Sequence, residues 1–165
     1  WNKVSGAGGY RIYRKVKGQN WKCIKEVKST VLSYKDSSVQ GITTYAYAVR
    51  AYRTVGGKKI LGGYKASSYI QSYPLKQKIS KICKTSSSLK IYWSTQKKAS
   101  GYQIYRKTKN SSWKKIKTIS NGKTASFEDR TAKKGTTYYY AVRAGAKTST
   151  GKTVYGSYTA KTAKR

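Results

Sequence analysis

A seven-residue stretch that occurs twice constrains this chain more than any other feature. The first copy, residues 45–51, reads YAYAVRA, and the second, residues 138–144, reads YYYAVRA, 93 positions later. Side chains alternate between the two faces of a β-strand. One face therefore holds Tyr45, Tyr47, Val49 and Ala51, and the other holds Ala46, Ala48 and Arg50. A strand with one large apolar face needs a second sheet to cover it, so each copy predicts packed β-sheets.

The repetition extends beyond these strands to most of the chain. Residues 9–15 read GYRIYRK and residues 101–107 read GYQIYRK, and Trp1 and Trp21 have partners in Trp93 and Trp113. A period of this length suits tandem copies of a whole domain, each large enough for its own core. The sequence therefore predicts two domains, residues 1–73 and 74–165, with the single proline, Pro74, at the junction.

The two copies differ at their starts. In the second copy, predicted strands over residues 78–82 and 88–93 precede Trp93, whereas nothing equivalent precedes Trp1. We therefore expect the first copy to lack its first strand and most of its second. We also expect the chain to be part of a larger protein.

Four motifs recur in the same order in both copies. These are a Trp at the end of an early strand, Gly-Tyr-x-Ile-Tyr-Arg, an aromatic-x-Asp strand such as 34–36, and Tyr-x-Tyr-x-Val-Arg-Ala. Together they resemble the fibronectin type III domain, most closely the version repeated in secreted and surface proteins of Gram-positive bacteria. The resemblance implies an all-β fold of two tandem, immunoglobulin-like sandwiches with antiparallel sheets A-B-E and C-C′-F-G. The first copy would lack strand A and most of strand B.

The resemblance also implies roles for individual apolar residues. Trp1 and Trp93 correspond to the core tryptophan of strand B, and strand C supplies core positions at Tyr10, Ile12, Tyr102 and Ile104. Tyr45 and Tyr138 correspond to the tyrosine corner at the start of strand F. There the ring is expected to be buried while the hydroxyl bonds to backbone a few residues upstream.

The residue types that usually perform catalysis are scarce. Histidine is absent, which removes the commonest general base and metal ligand. The only carboxylates are Glu26, Asp36, Glu128 and Asp129. Asp36 and Asp129 are repeat-equivalent, which favours a shared structural role, such as bonding turn amides at a strand end. We predict a non-enzymatic protein with no catalytic, cofactor or metal site.

The two cysteines occupy non-equivalent positions in the two copies. Cys23 lies in the first copy and Cys83 in the second, so they do not form a disulfide framework that recurs with the repeat. Two interpretations stay open from sequence, namely two unpaired small side chains or one bridge between the domains.

Positive charge dominates the composition. The chain has 37 Lys and Arg residues against four acidic ones, a formal net charge of +33. Such a charge favours association with anions, including nucleic acid, cell-wall polymers, sulfated glycans and acidic membrane surfaces. Lys outnumbers Arg, and Lys is a strongly hydrated point charge, which favours diffuse attraction over defined phosphate recognition. No apolar run approaches the ~20 residues of a transmembrane helix.

The outward face of the predicted C-C′-F-G sheet is the candidate ligand face, because aromatic and cationic residues alternate there. Its residues are Arg11, Tyr13, Arg50 and Trp21 in the first copy and Tyr105, Lys107, Arg143 and Trp113 in the second. Aromatic rings beside cations can stack on sugars or bases while neutralising an anionic polymer. The alternative is that these residues stack on each other and stabilise an exposed sheet.

Three functional hypotheses follow. The first is a structural spacer and adhesion module of a larger extracellular or cell-surface protein, whose partners are the neighbouring domains of that protein. The second is a binding module for an anionic cell-wall polymer or glycan. Nucleic-acid binding is the least supported, because no helix-turn-helix, zinc finger or RNA-binding strand motif accompanies the charge. The expected location is extracellular, at the cell surface or cell wall.

Overall fold

The structure is a computed structural model that describes every residue from Trp1 to Arg165, and its regular elements are all β-strands. Contacts between residues divide the chain into two compact units, Trp1–Ser72 and Tyr73–Arg165. The chain contains no helix with the length and apolar character needed to cross a membrane.

The first unit contains a single five-stranded sheet. Its strands are β1 (Gly9–Val16), β2 (Lys22–Lys28), β3 (Thr44–Val55), β4 (Lys58–Leu61) and β5 (Ile70–Gln71). The order is β2-β1-β3-β4, all neighbours are antiparallel, and β5 also pairs with β3. This arrangement corresponds to the predicted C-C′-F-G sheet. The GYRIYRK motif lies in β1, and the repeated stretch of residues 45–51 lies in β3.

The aromatic-x-Asp segment of the first unit, predicted as a strand, does not form one. Residues 32–36 lie outside every sheet, and Leu32 and Tyr34 remain more than one-third exposed. The equivalent residues of the second unit form a strand because Phe127 lies opposite Ile91 of a strand B. The first unit has no strand beside residues 32–36 to supply those backbone partners, so the strand prediction there is wrong.

The second unit contains both sheets of a sandwich. Its strands are β6 (Gln77–Lys84), β7 (Leu89–Trp93), β8 (Gly101–Lys107), β9 (Lys114–Ile119), β10 (Ser126–Asp129), β11 (Thr137–Lys147), β12 (Thr153–Tyr155), β13 (Tyr158–Thr159) and β14 (Lys161–Lys164). One sheet has the order β10-β7-β6-β13 and the other β12-β11-β8-β9, with β14 also pairing with β11. These sheets correspond to A-B-E and C-C′-F-G. The last strand of the unit is divided between the two sheets: β13 pairs in parallel with β6, and β14 pairs with β11.

The core of the second unit lies between its two sheets. Ile91, Ile104 and Tyr140 are fully buried, and Trp93 packs on Tyr102 with ring centroids 5.3 Å apart. Each such side chain contributes about 1.5–3 kcal/mol through burial. Tyr10 and Ile12 are also buried in the first unit, although it has a single sheet, and their burial confirms the strand C assignments.

The repeated stretch, which lies in β3 and β11, is buried to different extents in the two units. Tyr140 and Val142 are buried in the second, whereas their equivalents Tyr47 and Val49 are only partly buried. The predicted inward face is therefore correct in both copies, but only the second copy has the opposing sheet that covers it.

Both predicted corner tyrosines are confirmed. Tyr45 is 2% exposed, and its hydroxyl oxygen accepts a hydrogen bond from the Gln40 amide at 2.9 Å. Tyr138 accepts the equivalent bond from the Lys133 amide at 3.1 Å. In both units the hydroxyl satisfies an upstream amide and attaches the preceding loop to the start of the long strand.

Candidate ligand-binding face

The two repeat-equivalent aspartates have the structural role predicted for them. Asp36 Oδ1 accepts a hydrogen bond from the Ser38 amide, and Asp129 Oδ1 accepts one from the Thr131 amide, both at 3.0 Å. Each carboxylate thereby fixes the turn that follows its segment.

Each aspartate also has an arginine and a tyrosine partner that the sequence analysis did not assign. The Arg106 guanidinium and the Tyr140 hydroxyl each donate to Asp129 Oδ2 at 2.6 Å. Asp36 receives the same two kinds of bond, at 2.7 Å from Arg14 and 2.9 Å from Tyr47. The available signal was the presence of the same Arg and Tyr in the repeated motifs of both copies.

These contacts shift the ionisation of the groups involved. Burial raises the pKa of Tyr47 to about 12, and its hydrogen bond to Asp36 adds to the effect. The pKa of Tyr140 is raised for the same two reasons. Burial opposes ionisation of Asp129, but the hydrogen bonds from Tyr140, Thr131 and Arg106 outweigh it, so the pKa of Asp129 lies below its usual value.

The two glutamates are also engaged in contacts within the protein. Glu26 forms an ion pair with Lys59 and another with Arg11 at 2.8 Å, and these two bonds lower its pKa to about 2. Glu128 accepts hydrogen bonds from Ser88 at 2.7 Å and from Arg130 at 3.0 Å. No three His, Cys, Asp or Glu side chains come together in a way that could hold a metal ion.

Aromatic and cationic side chains form a continuous cluster on the outward face of the first sheet, here called the first outer cluster. The Lys15 ammonium lies 4.9 Å from the Trp21 ring centroid and 5.6 Å from that of Tyr69. Trp21 meets Tyr64 edge-to-face at 5.9 Å, and Arg50 stacks on Tyr64 at 5.6 Å. The Arg50 Nε also donates to the Gly62 carbonyl at 2.8 Å, which fixes the guanidinium.

The second unit has a similar set of contacts, here called the second outer cluster, but its arginine stacks on a different tyrosine from the one that meets the tryptophan. Lys107 lies between Trp113 and Tyr139, at 5.7 and 5.4 Å from their ring centroids. Trp113 meets Tyr158 edge-to-face at 5.6 Å. Arg143 stacks on Tyr155 at 5.5 Å and donates from Nε to the Gly156 carbonyl at 3.0 Å.

The outer clusters bury small residues on the outward face of each sheet. Ala46 and Ala48 are 2% and 3% exposed, and Ala141 is completely buried. Ala48 shares a pocket with Tyr13 and Trp21, so aromatic side chains extend over the alanine positions. This face therefore has an additional layer of side chains, which the strand alternation alone did not predict.

The structure brings most of the predicted face residues together. Tyr13, Trp21 and Arg50 line one pocket in the first unit, and Lys107 and Trp113 stack in the second. The other three predicted residues have their own partners, Glu26 for Arg11, Gln103 for Tyr105 and Gly156 for Arg143. Strand alternation also places Lys15 and Tyr139 on this outward face, but sequence reasoning missed Tyr64, Tyr69 and Tyr158.

Both cysteines carry free thiols. The Cys23 side chain is exposed, and Cys83 is partly buried. The bridged interpretation is therefore not realised in this structure.

Comparison with known proteins gives structural likenesses only. No family model matches the chain, and no curated protein matches it. It is similar to the chicken interferon gamma receptor alpha chain, with 9% identity and a TM-score of 0.53 over 99% of this chain and 87% of that one. A two-domain fibronectin type III segment of chicken tenascin matches at 14% identity, with a TM-score of 0.48 and coverages of 98% and 87%.

The FN1–FN3 domains of chicken CNTN1 also match, at 20% identity and a TM-score of 0.42. The match covers 99% of this chain and 57% of that one, so the chain spans little more than half of the CNTN1 fragment. Strand order and pairing, together with the likeness to solved structures, confirm the predicted all-β fold of tandem fibronectin type III units. Likeness at these identities shows the fold alone.

Proposed function

We propose that this chain is a non-catalytic structural spacer and adhesion module of a larger extracellular or cell-surface protein, of the kind repeated in Gram-positive bacteria. Fibronectin type III domains are typically structural or binding modules in larger proteins, but a fold does not specify a function. The proposal therefore depends on the side chains of this chain.

The observation that supports a non-catalytic role is that every carboxylate already has partners within the protein. All four are held by ion pairs and hydrogen bonds inside their own units: Glu26 with Arg11 and Lys59, Asp36 with Arg14, Glu128 with Arg130, and Asp129 with Arg106. Glycoside hydrolysis would need two carboxylates across one cleft. The sequence also supplies no histidine as an alternative general base.

A second candidate function, binding of an anionic cell-wall polymer or glycan, is supported by the unpaired charge. Five of the 37 Lys and Arg residues pair with a carboxylate, which leaves the large majority available to an external polyanion. The two functions are compatible, because retention on a wall polymer is one way for a spacer to adhere. The partners of the proposal are this polymer and the neighbouring domains of the same protein.

A salt titration tests the adhesion part. We expect the full chain to bind immobilised purified wall polymer and heparin at ~0.15 M salt, with the logarithm of affinity falling linearly with the logarithm of salt concentration. Neutral dextran is the matched surface without charge, and it should retain nothing. Absence of binding to either polyanion at ~0.15 M salt would leave only the spacer role.

Two further measurements examine the remaining alternatives. Preferential binding to DNA over both glycans would favour nucleic-acid binding. Release of sugars or phosphate from the wall polymer by the purified chain would contradict the non-catalytic assignment.

A further inference from the structure

The first outer cluster encloses a small pocket. It has a volume of about 180 Å³ and is lined by Tyr13, Trp21, Ala48, Arg50 and Tyr64. Tyr13 lies on β1, Ala48 and Arg50 lie on β3, and Trp21 immediately precedes β2. Pockets for drug-sized ligands measure ~300–1,000 Å³, so this one suits a single ring of a larger molecule.

The walls of the pocket are set at a defined angle. The Trp21 and Tyr64 ring planes meet at 80°, which forms an apolar corner. A saturated ring seated in such a corner can contact both aromatic walls through its C–H groups. The corner therefore provides apolar contacts for a saturated ring with C–H faces.

Polar groups beside the corner are suited to hydroxyl and anionic substituents. The Arg50 Nε is occupied by the Gly62 carbonyl, so the guanidinium is held in place while its terminal N–H groups remain available as donors. The Lys15 ammonium lies over Trp21 and adds a second positive charge close by. An apolar corner flanked by two cations matches a pyranose ring that carries a carboxylate or sulfate group.

The second unit contains the same five residue types at the equivalent positions. They are Tyr105, Trp113, Ala141, Arg143 and Tyr158. Trp113 and Tyr158 meet at 72°, and Arg143 is fixed by the Gly156 carbonyl as Arg50 is by Gly62. These residues lie on the outward face, so packing between the two sheets does not require them.

We propose that these two equivalent corners are sugar-ring subsites, and that the chain binds an anionic polysaccharide through one pyranose ring in each unit. The proposal rests on the polyanion binding suggested under Proposed function and adds ring recognition to it.

The experiment compares polyanions with and without sugar rings. The full chain is titrated at one salt concentration with heparin and with inorganic polyphosphate, and we expect heparin to bind about tenfold tighter per charge. Replacing Tyr64→Ala together with Tyr158→Ala should remove this preference, with a loss of about tenfold or more for heparin and no change for polyphosphate. The salt slope should stay the same, because no charge has been removed.

Control variants separate ring recognition from folding. Tyr73→Ala changes an exposed tyrosine that lies outside both outer clusters and does not line the pocket, and it should leave heparin affinity unchanged. Tyr64→Leu with Tyr158→Leu keeps apolar side chains over the sheet while removing the rings, so it should lose the preference without loss of folding.

The possible results distinguish the two proposals. Equal binding of heparin and polyphosphate, or unchanged heparin affinity in both double variants, would overturn the subsites while leaving polyanion binding intact. Absence of binding to either polymer would overturn both proposals. Single-stranded DNA that displaces heparin and loses affinity in the double variants would assign the corners to bases instead of sugars.

Discussion

Loss of the Tyr140 hydroxyl tests the buried contact on which the second unit depends. In the wild-type protein the Tyr140 hydroxyl donates to Asp129 Oδ2 at 2.6 Å. Tyr140→Phe keeps the buried ring and removes only this donor. A hydrogen bond to a charged group is worth about 1.5–3 kcal/mol. Because Tyr140 is completely buried, water cannot replace its hydroxyl, and we expect the unfolding free energy of this unit to fall by that amount.

The effect should depend on pH in a defined direction. The pKa of Asp129 in the folded protein is below its usual value of about 3.9, so its ionised form stabilises the fold above that pH. This stability is lost as the pH falls below about 4 towards the folded pKa. Removing the Tyr140 hydroxyl raises the folded pKa of Asp129, so the difference between variant and wild type should be largest at neutral pH and shrink below about pH 4.

Native-state hydrogen exchange of the β10 and β11 amides measures this change within the second unit. A loss of about 1.5–3 kcal/mol corresponds to exchange faster by about tenfold to a hundredfold for amides that exchange by global opening. Tyr139→Phe is the matched control, because it changes a neighbouring tyrosine whose hydroxyl is not bonded to Asp129, and it should be nearly neutral. A difference below about 0.5 kcal/mol for Tyr140→Phe, or an equal loss for Tyr139→Phe, would refute the reasoning.

Two backbone predictions concern single residues in loops. Lys98 has a backbone φ of 65°, and the equivalent residue of the first unit is Gly6, with a φ of 68°. Because this conformation is strained for residues other than glycine, urea unfolding should show Lys98→Gly to be more stable by about 0.5–1 kcal/mol and Gly6→Lys to be less stable. Changes of the opposite sign would contradict the assigned strain. A Cβ on Gly122 would lie 1.7 Å from the Ala99 carbonyl oxygen, so Gly122→Ala should lower the free energy of unfolding by about 1–3 kcal/mol. Gly63→Ala is the control, because a Cβ there would meet nothing within 4 Å, and it should change stability little. Equal effects of the two variants would contradict the close approach.

The candidate face was only partly predictable from the sequence. Strand alternation placed Tyr13, Arg50 and their second-copy equivalents outward, because side-chain direction in a strand repeats every two residues. Tyr64 and Tyr158 were missed because Tyr64 lies outside the strands and Tyr158 begins the two-residue strand β13, so neither belongs to a run long enough to show alternation. Their contacts with Trp21 and Trp113 depend on tertiary packing. The repetition of Tyr64 and Tyr158 at equivalent positions was the signal that could have identified them.

The sequence alone determined the two repeated strands β3 and β11 and their inward faces. The repeated YxYxVRA stretch predicted β3 and β11, and the corner tyrosines Tyr45 and Tyr138 have the burial and the hydrogen bonds expected of them. These properties are local, since alternation and motif spacing do not depend on which other strands are present.

Only the tertiary structure decided how each stretch is covered and paired. Residues 32–36 have the same pattern as β10, but a strand needs a neighbour to accept and donate its backbone hydrogen bonds, and only the second unit provides one, in β7. The same absence of an opposing sheet leaves Tyr47 partly exposed while Tyr140 is fully buried. Pairing and burial therefore differ between two nearly identical stretches because both require residues that are distant in sequence.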